Sequence, residues 1–249
     1  PEEKLCNYRD TVNSFISKKS CTLRELKSII GKLQFSTSVI PSGRCFLRRM
    51  YNLTMGKKSL QSRISLNDDA LEDLLMWNKF LICFNGKTLI SERKILSSVQ
   101  NQIFTDASGS GFGGTYKNFW IEGIWPQNWR KLNIAVLELY PIYILVEKYS
   151  TDLANSLTIF HCDNEAVTTI INKQTSKDDK IMKILRPLVL TLLLNNIKFK
   201  AIHIPGVTNV LPDCISRQKV TPKLLEQHAM DLLPSKIPVY LKPENFEIA

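Results

Sequence analysis

The sequence predicts an α/β protein: a mixed five-stranded sheet with flanking helices, preceded by a mainly helical basic subdomain. Three observations support this prediction. Apolar positions recur at helical spacing up to about residue 98 and mostly at strand spacing directly afterwards. The positive charge is concentrated, because residues 18–63 contain eleven Lys or Arg and one acidic residue, a balance equal to the +10 of the whole chain. Acidic residues also stand at the ends of two predicted strands.

Four helices are predicted before residue 98. Thr22 and Glu25 form a capping box that begins the second helix, and the Pro-Ser-Gly sequence at 41–43 ends it. The predicted helices are 4–17, 22–40, 44–54 and one that begins at Asp68.

Charged residues of the third and fourth helices suggest different roles. Arg44, Arg48 and Arg49 are spaced to share a face, and a basic segment of this kind indicates either a polyanion-binding surface or a solvated helical face. The adjacent Asp68 and Asp69 invite comparison with a polymerase metal site. Because they open an amphipathic run, a helix cap with favourable dipole charges explains them better.

From residue 99 the pattern indicates strands alternating with helices. The first three strands follow one another closely and predict an antiparallel meander. The predicted strands are 103–106, 113–116, 119–125, 157–163 and 197–204. The predicted helices are 132–149, 164–172, 178–195 and 208–216.

Four carboxylates occur at corresponding places in this pattern. Asp106 and Asp163 end strands, Glu138 lies in the first long helix, and Asp213 lies in the last helix. Taken alone, Asp106 is most simply explained as a turn aspartate. If its strand and that of Asp163 are parallel neighbours, however, both emerge at the edge where active sites of open α/β sheets gather. Clustered carboxylates without basic partners favour Mg²⁺ or Mn²⁺, and two ions could support in-line phosphodiester hydrolysis.

Composition excludes other classes. No apolar run approaches the length of a membrane span, so no membrane association is expected. The six cysteines are scattered singly without CxxC pairs, which argues against zinc and for free thiols in a reducing intracellular compartment, cytoplasm or nucleus. The chain begins at Pro1 and is expected to be part of a longer polypeptide.

Several motifs, in order, resemble one family. They are Thr105-Asp106-Ala107-Ser108, Leu137-Glu138-Leu139, Asp163-Asn164, His203-Ile204-Pro205-Gly206, and Asn209 followed by Asp213-Cys214-Ile215-Ser216-Arg217. The pattern resembles the ribonuclease H domain of retrotransposon reverse transcriptases, most closely DIRS-type, gypsy-like elements. The sequence TLRELKSIIGKLQFSTSVIPSGRCFLRRMYNL is similar to the thumb and connection region of those enzymes.

The resemblance implies a ribonuclease H-like fold, with a thumb/connection-like subdomain at 1–98, the ribonuclease H-like domain at 99–217 and a C-terminal tail at 218–249. It implies endonucleolytic hydrolysis of the RNA strand of RNA–DNA hybrids by two Mg²⁺ or Mn²⁺ ions, as part of a polyprotein that also carries the polymerase. The acidic quartet would be Asp106, Glu138, Asp163 and Asp213. Asp106 and Asp163 would be central to both ions, Glu138 would hold the ion nearer the leaving group, and Asp213 the ion that activates water.

Candidate nucleic-acid contacts are Gly109, Ser110, Asn164 and His203, together with Arg44, Arg48 and Arg49. His203 either assists product release or proton transfer, or bonds to a neighbouring loop. Trp125 and Trp129 are better explained by core packing than by stacking on nucleic acid.

Two prolines depart from the family pattern. Pro141 lies within a turn of Glu138 and is expected to kink the helix or displace its start, and Pro212 directly precedes Asp213. Residues 218–249 are predicted to form a short helix followed by an extended tail.

An alternative to an active enzyme is a ribonuclease H-like module that grips nucleic acid or scaffolds a polymerase without turnover. A transposase or integrase of similar fold fits less well, because the His-Ile-Pro-Gly turn and the early glutamate are unusual there.

Overall fold

A computed structural model describes residues 2–83 and 100–248. The chain divides into two compact units, residues 1–91 and 92–249, called here the N-terminal and C-terminal units. The predicted domain boundary at 98/99 lies outside the described residues. Within the described part, every helix is too short or too polar to cross a membrane.

In its described residues the N-terminal unit contains four α-helices, a 3-10 helix and a small antiparallel β-ribbon. Strand β1 pairs with β2 through Cys21 opposite Ile64. The ribbon was not predicted, because each strand is only three residues long. The elements are α1 (Glu2–Ser17), β1 (Ser20–Thr22), α2 (Leu23–Ser36), α3 (Arg48–Thr54), β2 (Arg63–Ser65) and α4 (Asp68–Cys83).

The beginning of α2 confirms the sequence prediction, whereas its end does not. Thr22 and Glu25 form the capping box in both directions. The helix ends at Ser36 rather than at residue 40, and residues 41–46 form a 3-10 helix. Packing explains this turn: a Cβ at Gly43 would lie 2.4 Å from the Trp77 ring, so only glycine allows the approach.

The C-terminal unit is built on a mixed sheet of five strands in the order β5-β4-β3-β6-β7. The first three strands form the predicted antiparallel meander. Strand β6 pairs in parallel with β3, and β7 pairs in parallel with β6. The strands are β3 (Gln100–Ala107), β4 (Gly111–Tyr116), β5 (Phe119–Ile124), β6 (Leu157–Cys162) and β7 (Lys198–His203). The helices are α5 (Ile134–Lys148), α6 (Ser150–Leu153), α7 (Glu165–Lys173), α8 (Asp179–Leu194), α9 (Val210–Ser216) and α10 (Pro222–Gln227). This arrangement confirms the predicted ribonuclease H-like fold class.

Helices cover both faces of the sheet. Successive side chains of a strand point to opposite faces. A Cβ at Gly113 would meet Ile215 of α9, whereas one at Gly114 would meet Leu145 of α5. Helices α9 and α5 therefore lie on opposite faces, and the absence of a side chain at both glycines lets each helix approach β4 closely.

Both prolines near the acidic residues are accommodated. Helix α5 continues through Pro141, although a proline nitrogen cannot donate to the Leu137 carbonyl. Because every residue from 135 to 146 is buried, tertiary packing offsets the missing hydrogen bond. Pro212 lies in the first turn of α9, where an N–H has no helical partner, and so does not disturb the helix.

The C-terminal segment differs from the extended tail that the sequence suggests. The short helix is present as α10, but the residues after it fold back onto the same unit. Leu241 and Ile248 are buried, and the Phe246 ring lies 5.1 Å from that of Tyr140. Part of this segment therefore packs on the C-terminal unit, although Leu233, Val239 and Tyr240 remain exposed.

Candidate active site

Four carboxylates come from four different elements of the C-terminal unit and are called here the carboxylate site. Asp106 is the penultimate residue of β3, Glu138 lies in α5, Asp163 follows β6, and Asp213 lies in α9. The last parallel pair between β3 and β6 joins Phe104 to His161. Asp106 and Asp163 each lie two residues beyond that pair, so they share a face at one edge of the sheet.

Glu138 is the most strongly perturbed member of the site. Its residue surface is only 4% exposed. Burial, followed by the charges of Asp106 and Asp163, raises the pKa of Glu138 from 4.5 to about 9. Hydrogen bonds from the Ala107 amide and the Cys162 thiol oppose this rise without cancelling it.

Asp106 is buried between β3 and α9. The Ser216 hydroxyl donates to Asp106 Oδ2 at 2.5 Å. Burial, opposed by the Ser216 hydrogen bond and reinforced by the charges of Asp163 and Asp213, raises the pKa of Asp106 to about 6. The site therefore resists carrying its full negative charge in the absence of a cation.

Asp163 is half-buried and lies against the turn between β7 and α9. A Cβ at Gly206 would stand 3.2 Å from Asp163 Oδ2, so glycine permits a close approach of this turn. The His203 ring nitrogen Nε2 lies 3.1 Å from the Asp163 carbonyl oxygen. His203 thus bonds to a neighbouring loop, as one of the two predictions for it states.

Asp213 forms an ion pair on its own helix. Arg217 Nε donates to Asp213 Oδ1 at 2.6 Å across one helical turn. Both side chains are partly exposed, so the pair contributes little to stability. Its main consequence is orientation, because it engages one of the two Asp213 oxygens.

The structure brings the predicted residues to one edge without drawing all of them together. Single ligand atoms of Glu138, Cys162 and Asp163 lie within 4.8 Å of one another. Asp106 and Asp213 are outside this group; Asp106 accepts a hydrogen bond from Ser216 of α9, and Asp213 accepts one from Arg217, which follows α9. Sequence reasoning missed Cys162, although its position directly before Asp163 at the end of a strand was an available signal.

Helix α9 is fixed to β3 at both ends. Asn209, which precedes the helix, donates from Nδ2 to the Thr105 carbonyl at 2.9 Å. At the other end, Ser216 bonds to Asp106 and its carbonyl accepts from the Ser108 hydroxyl at 2.8 Å. These bonds hold the helix that carries Asp213 against the strand that carries Asp106.

The β3–β4 turn, proposed as a surface for nucleic acid, has both structural and open positions. Gly109 and Ser110 are exposed, and a Cβ at Gly109 would meet nothing within 4 Å. Gly111 is different, because a Cβ there would lie 2.5 Å from the Gly123 carbonyl oxygen. Asn164 caps α7 by accepting from the Val167 amide at 3.2 Å.

The three predicted arginines of the N-terminal unit do not form one helical face. Arg44 is exposed and belongs to the 3-10 helix, whereas α3 begins at Arg48. Arg49 contacts acidic side chains of α4, including Asp73. The expected shared face is therefore wrong, because the 3-10 turn changes the angular spacing and Arg49 is engaged within the unit.

The aromatic residues near the site pack within the protein. Trp125 and Trp129 are buried and stack with ring centroids 5.3 Å apart, which confirms the core-packing interpretation. His161 stacks on Phe104 at 4.2 Å. Its half-buried position lowers the pKa of the imidazole, which favours the neutral ring.

The donor set fits a divalent cation. Four carboxylates supply hard oxygen ligands, and the raised pKa values of Asp106 and Glu138 show that their charges lack sufficient compensation. A cation placed among them would remove the repulsion that raises those values.

Comparisons with known proteins find weak structural similarity and no family. No protein-family model matches it, and no curated protein matches. Ribonuclease H1 from the halophilic archaeon Halobacterium salinarum NRC-1 shares 12% identity, with a TM-score of 0.38, over 49% of this chain and 97% of its own.

Two reverse transcriptase structures are also similar. The foamy viral protease–reverse transcriptase in complex with double-stranded DNA shares 14% identity, with a TM-score of 0.31, over 80% of this chain. The prototype foamy virus protease–reverse transcriptase shares 20% identity, with a TM-score of 0.30, over 74% of this chain. The matches cover only 35% and 25% of those two proteins. At these TM-scores, the assignment of the fold depends on strand order and register.

Proposed function

We propose that this chain is a ribonuclease H-type endonuclease that hydrolyses the RNA strand of RNA–DNA hybrids. The observation that carries the proposal is the meeting of four carboxylates from four elements at one sheet edge, two of them buried with raised pKa values. Perturbed carboxylates at such an edge are characteristic of functional sites.

Asp106, Glu138, Asp163 and Asp213 would hold two Mg²⁺ or Mn²⁺ ions. When bound, such ions supply an activated water and charge neutralisation for phosphodiester hydrolysis. The protein contributes the placement of the ligands: Ser216 and Asn209 hold β3 against α9, and the Ala107 amide and Cys162 thiol orient the Glu138 carboxylate. Rigid placement of this kind favours a productive geometry before substrate arrives.

Recognition of the hybrid would use the open positions around this edge. Gly109 and Ser110 leave the β3–β4 turn accessible to a nucleic-acid backbone, and 2′-hydroxyl groups distinguish the RNA strand. The basic segment at 18–63 would add attraction for phosphates, with Arg44 and Arg48 as candidate contacts. Arg49 is a weaker candidate because of its ion pairs.

We further propose that the chain belongs to a retroelement reverse transcriptase of the DIRS or gypsy-like type and acts together with its polymerase part inside the cell. The ordered motifs from Thr105 to Arg217 support this finer assignment. The alternative is a module that binds hybrid without turnover. The ion pair between Arg217 and Asp213 favours that alternative, because it engages an oxygen that the proposed site requires.

A cleavage assay with a labelled RNA–DNA hybrid tests the proposal. Wild-type protein with Mg²⁺ or Mn²⁺ should cut the RNA strand and leave duplex DNA intact, whereas Asp163→Asn should be inactive. Asp152→Asn is a matched control, because Asp152 is exposed in the same unit and pairs with Lys117 outside the site. An intact hybrid with either metal would exclude the enzyme for this chain, and retained binding would then support the alternative. Equal cutting by Asp163→Asn would show that the site is elsewhere.

A further inference from the structure

A cysteine lies directly behind the carboxylate site. Cys162 is the last residue of β6 and is fully buried. Its Sγ atom lies 3.8 Å from Glu138 Oε2. Single ligand atoms of Glu138, Cys162 and Asp163 all lie within 4.8 Å of one another, which makes this the closest His/Cys/Asp/Glu group in the described part of the chain.

Local backbone geometry explains why consecutive residues reach one place. In a regular strand, Cys162 and Asp163 would point to opposite faces. Strand β6 ends at Cys162, and the Asn164 amide donates to Cys162 Sγ at 3.4 Å. The chain therefore turns around the sulfur, and ligand atoms of Cys162 and Asp163 both lie within 4.8 Å of a Glu138 oxygen.

The separation of these atoms suits a small tetrahedral ion. Zinc lies about 2.3 Å from sulfur and about 2.0–2.2 Å from carboxylate oxygen, so two such ligands of one ion are roughly 3.5 Å apart. The 3.8 Å between Cys162 Sγ and Glu138 Oε2 is close to that separation. The Asp163 carboxylate offers an oxygen within 4.8 Å of both atoms, and metal binding would draw it toward the same centre.

The mixed donor set changes which metals are preferred. Oxygen ligands alone favour Mg²⁺ and Mn²⁺, whereas a thiolate favours softer ions such as Zn²⁺ and Cd²⁺. The carboxylate site therefore offers two kinds of donor set. Asp106 and Asp213 supply oxygen alone, whereas Glu138 and Asp163 supply oxygen close to the Cys162 sulfur.

We propose that Cys162, Glu138 and Asp163 form a mixed thiolate–carboxylate site for a thiophilic divalent cation, Zn²⁺ or Cd²⁺, that competes with Mg²⁺. Binding breaks the S–H bond of Cys162 and displaces the proton held by the Glu138 carboxyl; sulfur–metal and oxygen–metal bonds form, the protons pass to the buffer, and no atom is oxidised or reduced. The competition with Mg²⁺ rests on the proposed function, because two carboxylates are shared. The thiolate coordination does not.

Cadmium titration of the full chain tests the inference. Metal-free protein is titrated with Cd²⁺, and the ultraviolet thiolate-to-cadmium charge-transfer band is followed. Wild type should show a saturable component that disappears in Cys162→Ser. Cys214→Ser is the matched control, because Cys214 is a free cysteine of the same unit next to Asp213 but outside the group. Glu138→Gln should weaken Cd²⁺ binding by at least about 10-fold, since supporting groups alone are worth that much.

A second measurement protects the test against a variant that does not fold. ¹¹³Cd NMR of Cys214→Ser, which keeps Cys162, should give a resonance shifted in the direction of thiolate coordination. A resonance in the all-oxygen range, or an unchanged charge-transfer band in folded Cys162→Ser, would overturn the inference. Excess Mg²⁺ should reduce the band, and a band insensitive to Mg²⁺ would disprove shared ligands. A wild type that binds Cd²⁺ through Cys162 but cuts no hybrid would refute the proposed function alone.

Discussion

Each unit of the chain contains a group of acidic side chains, and the two groups are balanced differently. In the N-terminal unit, Arg49 contacts three acidic residues of α4, namely Asp69 at 3.0 Å, Glu72 at 2.9 Å and Asp73 at 3.4 Å. In the C-terminal unit, the carboxylate site gathers acidic residues at one edge of the sheet, and repulsion between them adds to burial in raising the pKa values of Asp106 and Glu138.

The difference distinguishes a structural cluster from a functional one. Asp73 is 1% exposed, and a buried carboxylate of this kind is tolerated when a guanidinium lies beside it. Glu138 is buried to a similar degree, but its nearest charged neighbours are carboxylates. A fold that keeps such an arrangement sacrifices stability at a place where a cation would restore it. The adjacent aspartates at 68 and 69 were the more conspicuous pair in the sequence, yet they belong to the balanced group.

The largest expected effect comes from neutralising the unbalanced group. Glu138→Gln keeps the shape of the side chain and removes a negative ligand, so hybrid cleavage should fall by roughly 10³-fold or more, because metal-centred charge stabilisation is worth several kcal/mol. Single-turnover cleavage measures the loss. Glu72→Gln in the balanced group is the matched control and should cut normally. If Glu138→Gln and Glu72→Gln cut equally well, the carboxylate site would not differ in function from the acidic group of α4.

The reverse experiment removes the balance from the N-terminal group. Arg49→Met preserves much of the side-chain volume and leaves Asp73 buried without its guanidinium. The free energy of unfolding should fall by about 3 kcal/mol, the lower end of the cost of breaking a buried ion pair. Urea denaturation measures this, with Arg44→Met as the control, since Arg44 is exposed. No loss of stability would show that the Arg49 contacts are only surface pairs.

The pH dependence of stability should report the unbalanced group directly. In the metal-free folded protein Glu138 has a pKa of about 9, raised from 4.5, and Asp106 has one of about 6, raised from 3.8. Between the ordinary and raised values the folded state holds a proton that the unfolded chain has released. Stability should therefore fall as pH rises from about 4.5 to about 9, by several kcal/mol for Glu138, since each pH unit within this window costs about 1.4 kcal/mol.

Chemical denaturation in chelator across this pH range measures the slope. Glu138→Gln should flatten it and raise the stability of the metal-free protein at alkaline pH, although the same variant loses activity. Glu122→Gln is an exposed control and should leave the slope unchanged. A slope that survives in Glu138→Gln would assign the linkage to other groups.

The comparison also shows which features the sequence could predict. The positions of Asp106 and Asp163 follow from strand periodicity. Each aspartate lies two residues beyond the last parallel pair between β3 and β6, so both reach the same edge of the sheet. The hydrogen-bond partners of these carboxylates cannot be predicted from the sequence. The bond between Ser216 and Asp106 spans 110 residues and depends on how α9 packs on β4. The early end of α2 was likewise hidden, because the packing of Gly43 on Trp77 is set by a distant helix.

The smallest expected effect comes from Ser216, whose hydroxyl donates a hydrogen bond to Asp106 and lowers the pKa of that carboxyl. Ser216→Ala removes the donor to Asp106 Oδ2 and should raise the pKa of Asp106 above its value of about 6, since that bond lowers it. It should also reduce the free energy of unfolding at neutral pH by about 1 kcal/mol, the usual contribution of one hydrogen bond. NMR titration of the Asp106 carboxyl carbon and urea denaturation measure the two effects, with exposed Ser110→Ala as the control. If the pKa of Asp106 fell or stayed constant in Ser216→Ala, the hydroxyl would not act as a donor to this carboxylate. Asp106 would then be as unbalanced as Glu138, and the contrast between the two acidic groups would become sharper.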